Sequence, residues 1–309
     1  MPVTAYLTHP VCLQHDMGAG HPECPQRLSA INDALVHARV MDFLRCREAK
    51  PVEVRQLERV HTRDYIASVH SAAPAEGMIA LDSDISMNQY SLEAAQMAAG
   101  AAVQAVDLVM HGEADNAFCA VRPPGHHAER ERAMGFCIFN NIAVAAAHAL
   151  EHYGLERVAI VDFDVHHGNG SEDIFKNEPR VMLCSSFQHP FYPYSCGPSA
   201  EGHLVNVRLP AGTDSETFRA ALEEQWFPQL RRFKPQMIFI SAGFDAHRRD
   251  PLAQLNLLEA DYSWVTREIK SLAEECCEGR IVSSLEGGYD LQALGASVVA
   301  HIKVLSGLE

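Results

Sequence analysis

Five short apolar runs, each breaking off into a polar motif, constrain this chain more than any other feature. They are Asn116–Val121, Arg157–Val161, Val181–Cys184, Gln236–Ser241 and Arg280–Leu285. Each is rich in β-branched or aliphatic residues and too short for an ordinary helix, so each reads as a strand. Near-continuous apolar character suits strands covered on both faces, as in a parallel sheet. Thr4–Thr8 reads as a further strand. Helical patterns fall between the strands. Ser91–Met110 is Ala-rich and apolar almost all round, which suits a buried helix, and Asn141–Tyr153 is similar. Thr213-Asp-Ser-Glu216 has capping-box spacing. After it Phe218, Leu222 and Trp226 share a helical face, until Pro228 interrupts the pattern. Glu259–Cys277 carries Tyr262, Val265, Ile269, Leu272 and Cys276 on one stripe. Alternating strands and helices imply an α/β fold with a mainly parallel sheet. With no repeat and no long linker, residues 1–309 read as a single domain.

The polar motifs then acquire a common location. They are Arg122-Pro-Pro-Gly-His126-His127, Asp162-Phe-Asp164-Val-His166-His167-Gly-Asn169-Gly, Ser185-Ser186, Ala242-Gly-Phe-Asp245-Ala-His247 and Glu286-Gly287-Gly288-Tyr289. Open parallel sheets bind ligands beyond the carboxyl ends of their strands, so one edge of the sheet should collect all five.

Composition narrows the function classes. A formal net charge of −15 argues against non-specific binding to nucleic acid, whose phosphates it would repel. No stretch reaches the ~18 apolar residues of a bilayer span, so no membrane role is expected. The first ten residues carry no basic region followed by an apolar run, so no signal peptide is expected. Nine cysteines without a CxxC pair suit a reducing cytoplasm. Cys276-Cys277 reads as a buried, inert pair.

The segment from Asp162 to His166 alternates like a strand end, which would put positions 162, 164 and 166 on one face. Asp164 and His166 could then reach one ion. A catalytic zinc needs three protein ligands and an open position, and Asp245, ending a different strand, is the best third ligand. Two carboxylates and one imidazole would neutralise Zn²⁺, although an oxygen-rich set also admits Fe²⁺ or Co²⁺. An isolated Asp-x-Asp also occurs in magnesium phosphatases and in solvated loops. The imidazoles that follow favour a transition metal. His167 and His247 read as packed neighbours of the site. Pro123-Pro124-Gly125 would present His126 and His127 on a stiff loop. A neutral histidine near metal-activated water can take its proton and later return it to a leaving amine. Tyr289, in a glycine-permitted turn, could donate to a developing oxyanion.

These residues resemble the histone deacetylase superfamily, including bacterial histone-deacetylase-like amidohydrolases and acetylpolyamine amidohydrolases. The likeness runs nearly end to end. Besides the motifs above it covers Gly20-His21-Pro22-Glu23-Cys-Pro25-Gln-Arg27-Leu28, His61-Thr-Arg-Asp-Tyr65, Gly135-Phe136-Cys137-Ile-Phe-Asn140-Asn141 and Asp250-Pro251-Leu252. The resemblance implies the arginase-deacetylase fold, a mainly parallel eight-stranded sheet flanked by helices on both faces. It implies Zn²⁺ on Asp164, His166 and Asp245, with His127 as general base and acid. His126, paired with Asp162, would be its electrostatic partner, and Tyr289 would polarise the acetyl carbonyl. Gly135 and Phe136 would line the acyl channel, Tyr192 would face them, and Asp84 would hold the substrate backbone at the rim. A structural K⁺ would use oxygens of Asp162, Asp164, His166, Ser185 and Ser186. Gly287 and Gly288 would support the tyrosine turn.

Some positions depart from the commonest pattern. Asn169 stands where many members carry an aspartate partner to the second histidine, as in the class II branch. It should raise the basicity of His127 less than a carboxylate would. The histidine usual after Ser185 is missing, which bears on rim contacts. Leu252 occupies a position where polyamine-selective relatives can carry an acid, which favours acyl-lysine in a peptide or protein over an acetylpolyamine or other small acetylated amine. An oligomer is compatible with the sequence.

Overall fold

The computed structural model describes residues 1–195 and 200–309, with only the backbone described at 200 and 201. Its strands, in chain order, are β1 (Thr4–Thr8), β2 (Arg45–Glu48), β3 (Met78–Asp82), β4 (Ile85–Asn88), β5 (Asn116–Cys119), β6 (Val158–Asp162), β7 (Val181–Gln188), β8 (Ala200–Glu201), β9 (Leu204–Leu209), β10 (Ile238–Ala242) and β11 (Ile281–Leu285). Nine form one sheet in the order β2-β1-β5-β11-β10-β6-β7-β9-β8, and β3 and β4 form a separate hairpin. Eight of the nine run parallel. The two-residue β8 pairs antiparallel with β9 and adds a short edge to the expected eight strands.

The inner strands β5, β6, β10 and β11 are buried at every position, as strands covered on both faces must be. The edge strand β2, Arg-Cys-Arg-Glu, is exposed at all four positions. Its charges blunt an edge that would otherwise recruit another strand.

The helices Ser91–Met110, Asn141–Tyr153 and Glu259–Cys277 form where their periodicity places them. Asn140 caps the second by accepting from the Ala143 N–H at 3.0 Å, and Gly154 closes it in the left-handed region at φ 67°. Three expectations need correction. The cap at the 213–216 segment is Asp214, which accepts from the Thr217 N–H at 3.0 Å, while the Thr213 hydroxyl turns back to the Pro210 carbonyl at 2.7 Å. Second, β7 does not stop at Cys184 but runs on to Gln188, so Ser185–Gln188 is buried strand rather than rim. Third, Cys276 is partly exposed, and only Cys277 is buried. Pro228, as expected, ends one helix, and it sits in the first turn of the next, Phe227–Phe233. Among the described residues no helix is long and apolar enough to cross a membrane.

Two buried histidines hold neutral positions in this frame. His61 Nδ1 donates to the Glu129 carbonyl at 3.0 Å, and its Nε2 accepts from the Asn140 N–H at 3.0 Å. A second ring proton would point at that N–H. His301 lies among the Phe118, Phe163 and Phe244 rings. The Thr266 hydroxyl donates to Tyr262, so His301 Nδ1 must donate to Thr266 and Nε2 accept from Ser283. Burial pushes His61 down to about 4 and His301 down to about 3. The unfolded chain protonates both near 6.5, so these contributions are full above about pH 6.5 and are lost as pH falls toward 3. Each histidine should add a slope approaching ~1.4 kcal/mol per pH unit in that window. In denaturation curves from pH 7 to 4, His301→Gln should lower the slope; identical slopes would contradict this assignment.

Candidate functional site

The carboxyl ends of β5, β6, β10 and β11 meet over one cavity of about 240 Å³. β6 ends at Asp162, and the chain then bends instead of continuing as a strand, a correction to the expected alternation. The bend is stabilised by Asp162 Oδ1, which accepts from the Asp164 N–H at 3.1 Å. It still brings Asp164 and His166 together, and Asp245 arrives from beyond β10. His166 Nδ1 lies 3.2 Å from Asp164 Oδ1 and 3.1 Å from Asp245 Oδ2. One ligand atom from each of the three lies within 4.8 Å of the others, a spacing that could hold a metal ion. Both acids are fully buried. Burial and the Asp164 charge raise the carboxyl of Asp245. Gly287 packs directly on the two carboxylates: a Cβ there would sit 2.1 Å from Asp245 Oδ2 and 2.6 Å from Asp164 Oδ2. Its N–H instead donates to Asp164 Oδ2 at 2.8 Å.

His126 and His127 sit side by side with opposite electrostatics. His126 Nδ1 faces Asp162 Oδ2 at 2.9 Å. Burial alone would lower its pKa, but Asp162 and Asp164 outweigh it and hold His126 well above an ordinary histidine. His127 is held well below, by burial and then by the neighbouring His126 and His166. Its tautomer follows from the partners. Asn169 Nδ2 donates to Glu129 Oε1 at 2.7 Å, which turns the amide oxygen toward His127 Nδ1, also at 2.7 Å. Nδ1 therefore carries the proton, and Nε2 is free to accept one. Gly135, at φ 56°, packs so close that a Cβ would lie 2.2 Å from the His127 ring. Phe136 follows with φ 67°, a costly conformation for a non-glycine residue and of the kind that clusters at functional sites.

The Tyr289 turn rests on a buried ionic network. Glu23, Arg27 and Arg122 are all inaccessible to solvent. Arg122 grips Glu23 with two guanidinium nitrogens and donates to the Cys12 and His15 carbonyls at 2.8 and 2.9 Å. Burial would raise the Glu23 pKa, but Arg122 and His15 hold it well below the usual carboxylate range. Arg27, 3.2 Å from Glu23, donates to the Gly288 carbonyl at 2.7 Å and the Glu286 carbonyl at 2.5 Å. Its guanidinium lies 5.0 Å from the centre of the Tyr289 ring. From the other side Asp250 accepts from the Tyr289 N–H at 2.7 Å and the Leu252 N–H at 2.9 Å.

His127, His166, Phe136, Tyr192, Leu252 and Tyr289 line the cavity, as do Gly135 and Asp84. Asp84 accepts from the Tyr192 hydroxyl at 3.2 Å. Tyr192 in turn meets the His127 and His166 rings edge-on. Ser185 Oγ lies 3.1 Å from His167 Nδ1, and the buried Ser186 hydroxyl has no hydrogen-bond partner among the described residues. His167 packs on Phe187, and His247 accepts from the Arg249 N–H at 3.2 Å, so both stand behind the site. Phe191 and Tyr194 also line the cavity without having been singled out by any motif. Asp250 and Glu286 stand in motifs already named, but nothing in the sequence marked them as anchors, and Glu129 lies outside every motif.

A mainly parallel α/β sheet thus carries a carboxylate–imidazole cluster and two histidines at its carboxyl edge. Comparison with known proteins gives the family. Residues 21–305 match the histone deacetylase domain. The chain is 36% identical over 316 residues to a probable deacetylase of Archaeoglobus fulgidus, covering 99% of this chain and 87% of that protein. It is 37% identical over 311 residues to the histone deacetylase-like amidohydrolase of Pseudomonas aeruginosa, covering 98% and 82% respectively. The crystal structure of the HDA15 HD domain superposes with a TM-score of 0.91 at 36% identity, covering 99% of this chain and 88% of that one. The chain belongs to the histone deacetylase family and has its arginase-deacetylase fold. Deacetylase activity is the activity of that family.

Glu23→Ala should destabilise the protein by about 3–5 kcal/mol, because it leaves Arg122 buried without a counter-charge. Chemical denaturation reads this directly, and an unchanged midpoint would mean that the network is not under strain of burial.

Proposed function

We propose that the chain is a zinc-dependent deacetylase that removes acetyl groups from N-acylated lysine in peptides or proteins. The observation that carries this reading is the close Asp164, His166 and Asp245 cluster beside a neutral His127 with a free Nε2. Two carboxylates and an imidazole suit a divalent transition metal, and the missing Cβ of Gly287 keeps the carboxylates clear. Asp164, His166 and Asp245 would hold Zn²⁺, which when bound acts as a Lewis acid that polarises an amide carbonyl and acidifies water.

The rest of the chemistry belongs to the chain. His127 Nε2 takes the proton of the attacking water and later gives it to the leaving lysine nitrogen. Asn169 keeps its Nδ1 protonated throughout. His126, kept cationic by Asp162, supplies fixed positive charge beside the developing oxyanion, and the Tyr289 hydroxyl donates a hydrogen bond to it. Gly135, Phe136, Tyr192 and Leu252 form an apolar tube that suits a lysine alkyl stem, with Asp84 at its mouth to accept a substrate N–H. Gly287 and Gly288 let the Tyr289 turn close on the metal ligands. A structural K⁺ held by oxygens of Asp162, Asp164, His166, Ser185 and Ser186 completes the proposal, supported by a donor set made only of oxygen, the ligand that hard cations take. The catalytic unit is the single domain 1–309, and its scattered cysteines suit a cytoplasmic setting.

A substrate panel tests this: acetyl-lysine peptides, longer acyl-lysine peptides and acetylpolyamines, each with and without a chelator. Acetyl-lysine peptides should be turned over, and full chelation should abolish turnover. Turnover surviving complete metal removal would sink the zinc chemistry; polyamine turnover far above peptide turnover would reassign the substrate. Tyr289→Phe should cost about 3 kcal/mol of transition-state stabilisation, or roughly a hundredfold in kcat.

A further inference from the structure

Glu286 is a fully buried acid to which the chemistry above gives no part. Its Oε2 accepts the backbone N–H groups of Gly125 at 2.6 Å and His126 at 3.1 Å, from a loop 161 and 160 residues away in sequence. Successive amides converging on one oxygen form a cradle for an anion or a carbonyl. The backbone that carries this side chain is itself fixed. The Glu286 N–H donates to the Ala242 carbonyl at 2.9 Å, and its carbonyl accepts from Arg27. Gly287 is tied to Asp164, Gly288 to Arg27, and Tyr289 to Asp250. One rigid turn therefore bears Tyr289 at one end and, at the other, the carboxylate that grips the histidine loop.

We propose that Glu286 is a positioning residue that fixes the His126–His127 loop against the Tyr289 turn, and so sets the distance between His127 Nε2 and the Tyr289 hydroxyl. This rests on the deacetylase reading, which supplies the roles of His127 and Tyr289. The cradle requires an acceptor oxygen at a set reach. A glutamine carbonyl meets that requirement, aspartate falls one methylene short, and alanine leaves two buried N–H groups unsatisfied.

The test combines amide exchange with kinetics. In the zinc-loaded wild-type protein the Gly125 and His126 amides should be protected like those of the core strands. Glu286→Ala and Glu286→Asp should lose that protection while keeping wild-type zinc content. With an acetyl-lysine peptide their kcat should fall about a hundredfold, as expected when reacting groups shift by an ångström, with KM within about threefold. Glu286→Gln should keep the protection and recover most of kcat. Unprotected amides in the wild-type protein, a wild-type kcat in Glu286→Ala, or a Glu286→Gln variant as impaired as Glu286→Ala would each overturn the proposal. If Glu286→Ala does not fold, the wild-type exchange and the Glu286→Gln kinetics decide. A wild-type protein inactive on acetyl-lysine would instead overturn the deacetylase reading, while the exchange data would still judge the tie.

Discussion

Asp164 and Asp245 are both buried, and an oxygen of each faces the same His166 nitrogen. Two carboxylates withdrawn from water in so small a space repel each other, and desolvating each costs several kcal/mol. The fold offsets part of that cost with backbone N–H groups. Gly287 and His166 donate to Asp164, and Val165 donates to Asp245. Hydrogen bonds to a charged group contribute about 1.5–3 kcal/mol each, the His126 and His166 imidazoles beside Asp164 favour its charged form as well, and a divalent cation would add to both. The parallel sheet supplies the geometry of this cluster. β11, β10 and β6 lie side by side, and their carboxyl ends bring residues 162–166, 245 and 287 to one point.

The same logic runs through the ring of groups outside the acids. Glu23 is surrounded by Arg122, Arg27 and His15; Arg27 holds the Tyr289 turn; Glu286 holds the histidine loop; Asp250 holds both Tyr289 and Leu252. Glu23 holds the two arginines, and Arg122, Arg27, Glu286 and Asp250 each reach a backbone group that fixes a loop. Loops at a sheet edge are ordinarily the mobile part of an α/β fold. Here they are tied to one another, which would suit the proposed reaction, in which a proton acceptor, an oxyanion donor and a metal must keep their spacing to well under an ångström.

Much of this was legible in the sequence. β6, β10 and β11 announced themselves as apolar runs because both faces are covered, and Ser91–Met110 and Asn141–Tyr153 because helical periodicity survives burial. The motifs at the strand ends pointed to one edge of the sheet, where Asp164, His166 and Asp245 lie together beside His126 and His127, and where His127, His166 and Tyr289 line one cavity. What escaped was either local exposure or long-range pairing. The charged edge β2 has no apolar pattern to read, and β7 runs on through two serines that look like a loop. The Glu23–Arg122 pair spans 99 residues, and nothing near either residue reports the other. The bend after Asp162 brings together by a local hydrogen bond what alternation alone would have predicted for the wrong reason.

The central claim is that Asp164, His166 and Asp245 hold one divalent metal ion. Metal content measured on the purified protein and on Asp245→Ala, after both are loaded with zinc and freed of excess, tests it most directly. One zinc per chain in the wild-type protein and less than about a tenth in the variant is the expected result, since removing one of three ligands leaves no closed site. Equal zinc in the two proteins would place the metal elsewhere and contradict the account.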